Sequence, residues 1–521
     1  MLLEKVSFAD THSFSSFFLD YIHQHKSLQP FYSRFPQLSN FKDQIKEKSS
    51  FSKSHRQILV TTLQKQYEGL PHPDAVKKNI ASLSTDHTFT ITTGHQLNIF
   101  TGPLYFIFKI ITVINTCKQL RKAYPDFHFV PVYWMASEDH DFEEISYFRL
   151  YGKKYTWQTD QKGAVGRFNP QGLGALLKEV PGDTKPFKEA YGKHGTLSEA
   201  VRYYVNALFG DEGLVVIDAD DRALKNLFKG VIRDDLFQHT TKKRVEECNA
   251  KLESAGYKPA VHIRDINFFY LEEGIRNRIE NTGDQFSVAD SSLHFSKDQI
   301  EKMINEEPEK FSPNVILRPL YQEIILPNLA YVGGPAEVIY WLQLKKVFDH
   351  HRVPFPVLMP RNFGMVLDAP TRRKFQKTGL EVKDLFEEKN YLFNHWVIKN
   401  THHNLTLSDS INAIQVIFGE VQSRAAAIDK TLGPLVNAEA KQALSSLEKI
   451  EIKLLKAERR FHGDKLRQIE AIKDSLFPQG GLQERSDNFL CFYQQDPGFI
   501  QKLMDRFDPF DFQFNILSYD D

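Results

Sequence analysis

Two short stretches hold many of the side chains that could do chemistry. Residues 94–109 combine glycines with residues that can bind an anion or neutralise charge that develops in a transition state. Residues 138–141 combine groups that can accept a proton or hold an amine. The candidates in the first stretch are Gly94, His95, Gln96, Thr101, Gly102, Tyr105 and Lys109, and those in the second are Glu138, Asp139, His140 and Asp141.

The acidic run at 138–141 has a functional and a structural interpretation. As part of a site, the run could supply a general base such as Asp139 or Asp141, bind a metal or bind a substrate amine, and close ionisable groups should shift one another's pKa. As a helix start, Asp141 would be the N-cap, with Glu143 and Glu144 in the first turn. The two interpretations are compatible. Adjacent residues cannot aim enough ligands at one point, so we expect no metal at this run, and we expect none elsewhere in the protein.

A third group of candidates lies between residues 318 and 361. Arg318 beside a proline, and Arg361 after the apolar run at 357–360, both suggest strand ends that could grip a carboxylate or phosphate. A surface ion pair is the alternative for each arginine. The binding candidates in this region are Arg318, Gln322, Gly333, Gly334, Glu337, Tyr340 and Arg361.

Near-continuous apolar runs at 88–92, 128–136 and 213–218 predict buried strands that position these groups. Such runs are typical of parallel sheets covered on both faces, where ligands bind beyond the carboxyl ends of the strands. Pro103 suits the first position of the helix that follows the first strand. The free N–H groups of that helix start would then seat an anion. An ordinary strand-to-helix connection is the alternative.

The sequence as a whole predicts an α/β protein with a helical arm. We expect a helical N-terminal cap at 1–87 and a parallel-sheet core at 88–380, with insertions at about 145–212 and 255–312. An arm at 381–476 and a C-terminal segment at 477–521 that docks on the core would follow. Apolar residues repeat in heptads within 405–476, which predicts two antiparallel helices or one broken helix.

The heptads also predict a homodimer. A lone two-helix hairpin buries one seam, and a second copy related by two-fold symmetry would cover the apolar groups left on its outer faces. Folding of the arm back onto its own core is the alternative. The outer-face residues are Val416, Ile417, Leu444, Ile452, Leu455 and Ile469.

Composition excludes several classes of protein. Lys+Arg and Asp+Glu both number 66 in the 521 residues, so the basic excess of a nucleic-acid binder is missing. The three cysteines are far apart, which argues against a disulfide framework and fits a reducing cytoplasm. No apolar run is long enough to span a bilayer, and the first residues do not resemble a signal peptide. We therefore expect a cytoplasmic protein without membrane or nucleic-acid partners.

Several motifs, in this order, resemble one family across essentially the whole chain. They are TTGHQLNIFTGPLYFIFK, VPVYWMASEDHDFEEI, ILRPLYQEIILPNLAYVGGPAEVIYWLQL, MPRNF and the heptad arm. Together they are similar to the bacillithiol synthase family. The resemblance implies a Rossmann-like core with connecting insertions and an antiparallel coiled-coil arm used in dimerisation. The implied reaction joins the carboxyl of L-cysteine to the amine of glucosaminyl-malate.

The resemblance leaves the activating cofactor open. Gly94-His95 stands where nucleotidylyl transferases and class I tRNA synthetases carry a nucleotide-binding histidine motif, whereas no lysine-rich KMSKS-like motif is found. ATP or another nucleotide therefore stays one alternative for activating the carboxylate. Two other hypotheses also remain: a nucleotidylyl transferase that acts on another small molecule, and a non-catalytic dimeric scaffold with a degenerate nucleotide-binding core.

Overall fold

The computed structural model describes residues 1–71 and 73–519, which form an α/β core and a helical arm. The strands are β1 Leu2–Ser7, β2 Thr88–His95, β3 His128–Met135, β4 Tyr147–Leu150, β5 Lys153–Thr156, β6 Val215–Asp218, β7 Phe268–Glu272, β8 Ile275–Asn281, β9 Gln285–Val288, β10 His294–Ser296, β11 Phe311–Pro313, β12 Asn328–Gly333, β13 Val357–Pro360, β14 Phe363–Leu367 and β15 Gln513–Ser518.

Helices cover the sheets and build the arm. They are α1 Ser16–Ile22, α2 Phe41–Lys48, α3 Lys53–Gln66, α4 Asp74–Ser82, α5 Tyr105–Ala123, α6 Phe142–Ile145, α7 Leu173–Glu179, α8 Lys185–Lys193, α9 Leu197–Phe209, α10 Arg222–Asn226, α11 Lys229–Gln238, α12 Thr240–Ser254, α13 Lys297–Glu306, α14 Arg318–Ile325, α15 Pro335–Leu342, α16 Lys345–His351, α17 Ala369–Gln376, α18 Lys389–Asn400, α19 Ser408–Ile428, α20 Gly433–Phe461, α21 Gly463–Leu476, α22 Leu490–Tyr493 and α23 Phe499–Arg506. Among the described residues, no helix combines the length and apolarity needed to cross a membrane.

The central sheet has the strand order β13-β12-β2-β3-β6, and every pair in it is parallel. The three predicted strands are confirmed as β2, β3 and β6. From β2 the chain continues through α5 to β3 on one side, whereas β12 lies on the other side of β2. This change of direction makes the carboxyl end of β2 a topological switch point, where a crevice forms.

Three further sheets surround this core. An antiparallel sheet, β10-β9-β8-β7-β11, lies within the segment predicted as the second insertion, and β4 pairs with β5 in the first. A small mixed sheet of order β1-β15-β14 joins the two ends of the chain. The sequence prediction of a purely helical segment 1–87 is therefore wrong at its start. The partner of β1 is the last strand, a pairing that local periodicity cannot reveal.

The prediction for Arg318 is also wrong in its local structure. Arg318 begins α14 rather than ending a strand. Pro319 suits the first turn of that helix because the missing N–H of a proline has no intrahelical partner there. Arg361, in contrast, follows β13 directly, as predicted.

A buried polar network ties the site-bearing strands to the helical layer. The Asn328 side-chain carbonyl accepts hydrogen bonds from Thr90 (3.1 Å) and Thr92 (2.8 Å), which links β12 to β2. The Asn328 amide donates to Glu323 (2.6 Å), and Glu323 lies 3.2 Å from the Lys48 ammonium of α2. Lys48 and Glu323 are both buried, so each charge depends on the other.

The arm is an antiparallel hairpin, the first of the two predicted alternatives. The backbone N–H of Leu407, before α19, donates to Glu451 of α20, and a short turn at 430–432 joins the two helices. Neither helix contains a buried residue. At the base of the arm, α21 packs Ile469 against α18 around Trp396.

We expect Lys48→Met to lower the free energy of unfolding by about 3–5 kcal/mol, because it leaves the Glu323 carboxylate buried without its cation. Urea unfolding followed by circular dichroism measures the change. The control is Lys53→Met, since Lys53 pairs with Asp86 in solvent and should contribute less than about 1 kcal/mol. Equal losses in the two variants would contradict a supporting role for the buried network.

Candidate active site

A cleft of about 590 Å³ opens at the carboxyl ends of β2, β3 and β12. It has the size and position of a small-molecule site in an open α/β sheet. The sequence-predicted residues that line it are Gly94, His95, Gln96, Tyr105, Lys109, Glu138, Asp139, His140, Arg318, Gly334, Glu337, Tyr340 and Arg361. Residues at the ends of these three strands therefore share one cleft with residues at the starts of α14 and α15.

A buried ion pair forms the floor of the cleft. The Lys109 ammonium donates to the Gly94 carbonyl at 2.9 Å and lies 2.5 Å from Glu337 Oε2. Glu337 also accepts from the Tyr331 hydroxyl (2.5 Å) and the Gly334 N–H (2.8 Å). Burial alone would raise the pKa of Glu337, but Lys109 and these hydrogen bonds hold the pKa below its usual value. Glu337 is thus an anion that balances Lys109.

Arg318 packs against Gly94, near the end of β2, and its guanidinium lies among aromatic rings. A Cβ added at Gly94 would lie 3.2 Å from the Tyr331 hydroxyl and 3.4 Å from Arg318 Nη1, so both side chains pack closely against the backbone of Gly94. The guanidinium carbon is 5.3 Å from the ring centre of Tyr331 and 5.8 Å from that of Trp134, within cation–π range. Nη1 donates to Gln322 at 3.1 Å, whereas Nη2 is buried without a hydrogen-bond partner. This orphan donor suits a ligand oxygen.

His95 is held as a neutral imidazole. Its ring packs against Tyr105 and Phe106, each with ring centroids 5.3 Å away. Burial, reinforced by the positive charges of Lys109 and Arg361, lowers the pKa of His95 to about 3. The Nε2 atom is buried and has no hydrogen-bond partner. A neutral histidine with a free ring nitrogen can exchange one hydrogen bond with a ligand but cannot supply a positive charge.

Asp139 is the centre of a polar cluster on the opposite wall. It accepts from Gln96 Nε2 (3.0 Å) and the His140 N–H (2.7 Å), and Arg276 Nη1 lies 3.5 Å away. Burial alone would raise the pKa of Asp139, but Arg276 and these hydrogen bonds lower it below the usual value. Asp139 is therefore a firm anion, better suited to holding an ammonium group than to taking a proton near pH 7.

Glu138, the next residue, has the opposite electrostatic character. Burial raises the pKa of Glu138 to about 7, although the contacting ammonium of Lys225 opposes the shift. Lys225 also donates to the Phe311 carbonyl at 2.7 Å. A carboxylate whose pKa lies near the operating pH is matched to accept a proton during a reaction. The two adjacent carboxylates are thus suited to different tasks.

Arg361 lines the cleft but is already paired. Its terminal nitrogens make a bidentate contact with Glu484, at 3.0 and 2.5 Å. Glu484 also accepts from the Gly364 N–H at 2.9 Å, so the pair anchors the C-terminal segment. The sequence predicted that Arg361 grips a ligand carboxylate, whereas its main partner is a glutamate of the same chain.

The cleft does not include five of the predicted residues. Gln322 is buried behind Arg318, and Gly333 lies in β12, where its carbonyl accepts from Arg361. The other three are Asp141, which is exposed at the start of α6, and Thr101 and Gly102, which are buried in the turn before α5.

That turn is not the anion seat the sequence suggested. The N–H of Phe100 donates to the Tyr191 hydroxyl, that of Gly102 to the Ile99 carbonyl, and that of Leu104 to the Asp487 carbonyl. Helix α5 begins two residues after Pro103, at Tyr105. The turn and the C-terminal segment have thus used the donors that an anion would need.

Several residues of the cleft escaped sequence reasoning. Arg276 comes from the antiparallel sheet and Arg485 from the C-terminal segment, so neither stands beside a motif. Six cationic side chains line the cleft against three carboxylates. The unpredicted lining residues with charged, titratable or caging side chains are Trp134, His262, Arg264, Arg276, Tyr331 and Arg485.

The depressed pKa of His95 predicts a pH-dependent stability. Below the unfolded pKa of about 6.5 the unfolded state binds a proton that the folded state excludes, so stability falls with falling pH. We expect His95→Gln to remove a slope approaching ~1.4 kcal/mol per pH unit at pH 5. Urea unfolding at pH 7, 6 and 5 measures it. The exposed His402→Gln is the control, and parallel curves for wild type and His95→Gln would contradict the buried neutral state.

Comparison with known proteins agrees with this architecture. Residues 1–362 match the family model described as "Bacillithiol biosynthesis BshC, N-terminal Rossmann-like domain", and residues 364–519 match its C-terminal coiled-coil domain. A relative from Cytophaga hutchinsonii is 40% identical and one from Flavobacterium johnsoniae 41%, with 98–99% of each chain covered. Both are named "Putative cysteine ligase BshC". The chain belongs to the BshC family of bacillithiol biosynthesis.

Proposed function

We propose that this protein is a ligase that joins the carboxyl of L-cysteine to the amine of glucosaminyl-malate, the last step of bacillithiol biosynthesis. The observation that carries the proposal is the cleft itself, where cationic groups outnumber carboxylates and two arginine nitrogens, Arg318 Nη2 and Arg361 Nε, are buried without a hydrogen-bond partner. The names of the relatives support a ligase that handles cysteine.

The cationic groups suit the malate part of the acceptor. Malate carries two carboxylates, and guanidinium groups bind carboxylates with paired hydrogen bonds. Arg318 offers its free Nη2, and Arg264 and Arg485 have no carboxylate partner within the described residues. Lys109 is paired with Glu337 and Arg361 with Glu484. These two cations therefore contribute to the electrostatic potential of the cleft rather than bind the substrate directly.

The acidic wall suits the amine. Asp139 would hold the sugar ammonium close to the carboxyl carbon of cysteine. As the C–N bond forms, the bond from the carboxyl carbon to one of its oxygens breaks, and that oxygen leaves, in the net reaction as water. The ammonium loses one proton to become a nucleophile and a second as the amide forms, and Glu138 is the group whose pKa matches the transfer of these protons towards the departing oxygen. His95 would place its neutral ring beside the reacting carbonyl. Asp141, which the sequence offered as an alternative base, is exposed outside the cleft.

Amide formation from a free carboxylate also requires activation of that carboxylate. A nucleotide is the usual means in similar cores, but three N–H groups of the loop before α5, those of Phe100, Gly102 and Leu104, already donate to partners within the protein. The Glu337 carboxylate lies at the N-terminus of α15 and accepts from the Gly334 N–H at 2.8 Å, which closes that position as well. The residues present do not fit a phosphate at either place, so we derive no step through ATP.

One assay separates the proposed ligase from the rival functions. Pure protein is incubated with L-cysteine and glucosaminyl-malate, with and without ATP, and products are identified by mass spectrometry. Formation of the amide-linked thiol supports the ligase, and its dependence on ATP identifies the means of activation. A nucleotide-linked product without the amide would favour a nucleotidylyl transferase. No product under any condition would favour the scaffold.

Paired variants test the division of labour between the carboxylates. We expect Glu138→Gln to lower kcat by about 10²–10⁴-fold, because it removes the proton acceptor. In the wild type, kcat should fall as pH drops below about 7, where Glu138 becomes protonated. Asp139→Asn should instead raise KM for glucosaminyl-malate more than it lowers kcat. The exposed Asp141→Asn is the matched control, and a loss in it equal to that of Glu138→Gln would contradict these roles.

We also propose that the arm mediates homodimerisation. Of the predicted outer-face residues, Val416, Ile417 and Ile452 are 64%, 56% and 54% exposed, whereas Ile469 is buried against α18. The tip of the arm adds Ile428, which is 84% exposed. Fully burying each such side chain would contribute roughly 1.5–3 kcal/mol to the free energy of association. Packing of the arm against a second copy of the chain would therefore be favourable.

Light scattering tests the assembly. We expect twice the mass of the chain for the wild type and for the control Lys441→Glu, and a monomer for the double variant Ile417→Glu with Ile452→Glu. Replacement of 408–450, the exposed part of the arm, by a short glycine linker leaves helix α21 and its buried residues in place and should give a folded monomer. A truncated protein that stays dimeric would place the interface elsewhere, and a monomeric wild type would contradict the dimer.

A further inference from the structure

A second cluster of polar side chains lies outside the cleft, between α11 and α16. Asp234 lies in α11, and His350 and His351 are the last two residues of α16. One ligand atom from each of the three side chains falls within a group whose members are all within 4.8 Å of one another. The sequence gave no motif for this cluster, because α11 and α16 are far apart along the chain.

The distances in the cluster are too long for hydrogen bonds and suitable for a shared ion. His350 Nε2 is 3.8 Å and His351 Nε2 is 3.7 Å from Asp234 Oδ2. Around a tetrahedral zinc ion with bonds of about 2.0–2.2 Å, neighbouring ligand atoms lie roughly 3.4 Å apart. The two imidazole–carboxylate distances exceed this spacing by only a few tenths of an ångström, and the three ligand atoms together fall within 4.8 Å, so a rotation of the exposed His350 ring would complete the set.

Two of these atoms have no other partner. Asp234 Oδ2 and His351 Nε2 are buried, and neither makes a hydrogen bond. Such groups are costly to bury unless something satisfies them. The other oxygen of Asp234 accepts from the Thr240 hydroxyl at 2.9 Å, which fixes the carboxylate so that Oδ2 faces the two imidazoles. Carboxylates that bind metals are commonly oriented by hydrogen bonds of this kind.

We propose that Asp234, His350 and His351 form a binding site for a divalent transition-metal ion of the zinc type. Two imidazole nitrogens and one carboxylate oxygen are ligands that zinc accepts, and three protein ligands leave a fourth position for water. The side chain of His350 is 33% exposed, so the ion has a route from solvent. The site is separate from the cleft, and the proposal departs from the expectation, drawn from the sequence, that the protein holds no metal.

The ion would fasten α11 to the end of α16. Helix α16 follows α15, the helix that carries Glu337 and Tyr340 into the cleft. An ion held by both α11 and α16 would therefore stabilise the helices that pack next to α15, which forms part of the wall of the cleft. Its expected effect is on stability, and it takes no part in the proposed reaction.

Zinc binding is measured directly on full-length protein without a histidine tag, after dialysis against a chelator. We expect isothermal titration with Zn²⁺ to give one equivalent per chain, and the melting temperature to rise with added Zn²⁺ because only the folded state holds the ion. His351→Gln and Asp234→Asn should each weaken binding at least tenfold and abolish the rise in melting temperature. Co²⁺ should give the visible absorption of a tetrahedral site in the wild type only.

The matched control is His12→Gln. His12 Nε2 lies 3.7 Å from Glu387, the same separation as in the cluster, but this pair is exposed. Its removal should leave zinc binding unchanged. Circular dichroism verifies that each variant is folded. If His351→Gln does not fold, Asp234→Asn alone tests the loss of zinc binding. Absence of binding at 100 micromolar Zn²⁺, or equal binding by wild type and both cluster variants, would overturn the proposal.

Discussion

The parallel pairing of β2 with both β3 and β12 is the constraint on which the rest of the structure depends. Because three parallel strands end at one edge of the sheet, the side chains that follow the strands lie close together even though they are far apart in the sequence. The buried contacts of Asn328 with Thr90 and Thr92 link two of these strands. The same network reaches α2 through Glu323 and Lys48, so the helical layer and the cleft share one support.

Charge pairing within the protein determines what the cleft can bind. Lys109 is balanced by Glu337, Arg361 by Glu484, and Glu138 contacts Lys225. Each pair is largely buried, where an unpaired charge would be costly. The groups left over are mostly cationic or neutral donors, with Arg318 the best defined. The proposed binding of an anionic substrate rests on these charges that the fold leaves unpaired.

Local patterns in the sequence determined the regular elements. The apolar runs at β2, β3 and β6 predicted buried parallel strands, and the heptads predicted the arm, because both periodicities arise from neighbouring residues. The glycines and charged residues at strand ends located most of the cleft. The motif order indicated the family, and with it the Rossmann-like core and coiled-coil arm, which the family models confirm.

Only the tertiary structure decided which groups face one another. The pairing of β1 with β15, the capture of Arg361 by Glu484, and the placement of Arg276 and Arg485 in the cleft join residues distant in sequence. No local period encodes such contacts, since they depend on how sheets and helices pack. The different pKa directions of Glu138 and Asp139 have the same origin. The pKa of Glu138 is raised because the effect of burial dominates there. The pKa of Asp139 is lowered because Arg276 and the hydrogen bonds that Asp139 accepts together outweigh burial.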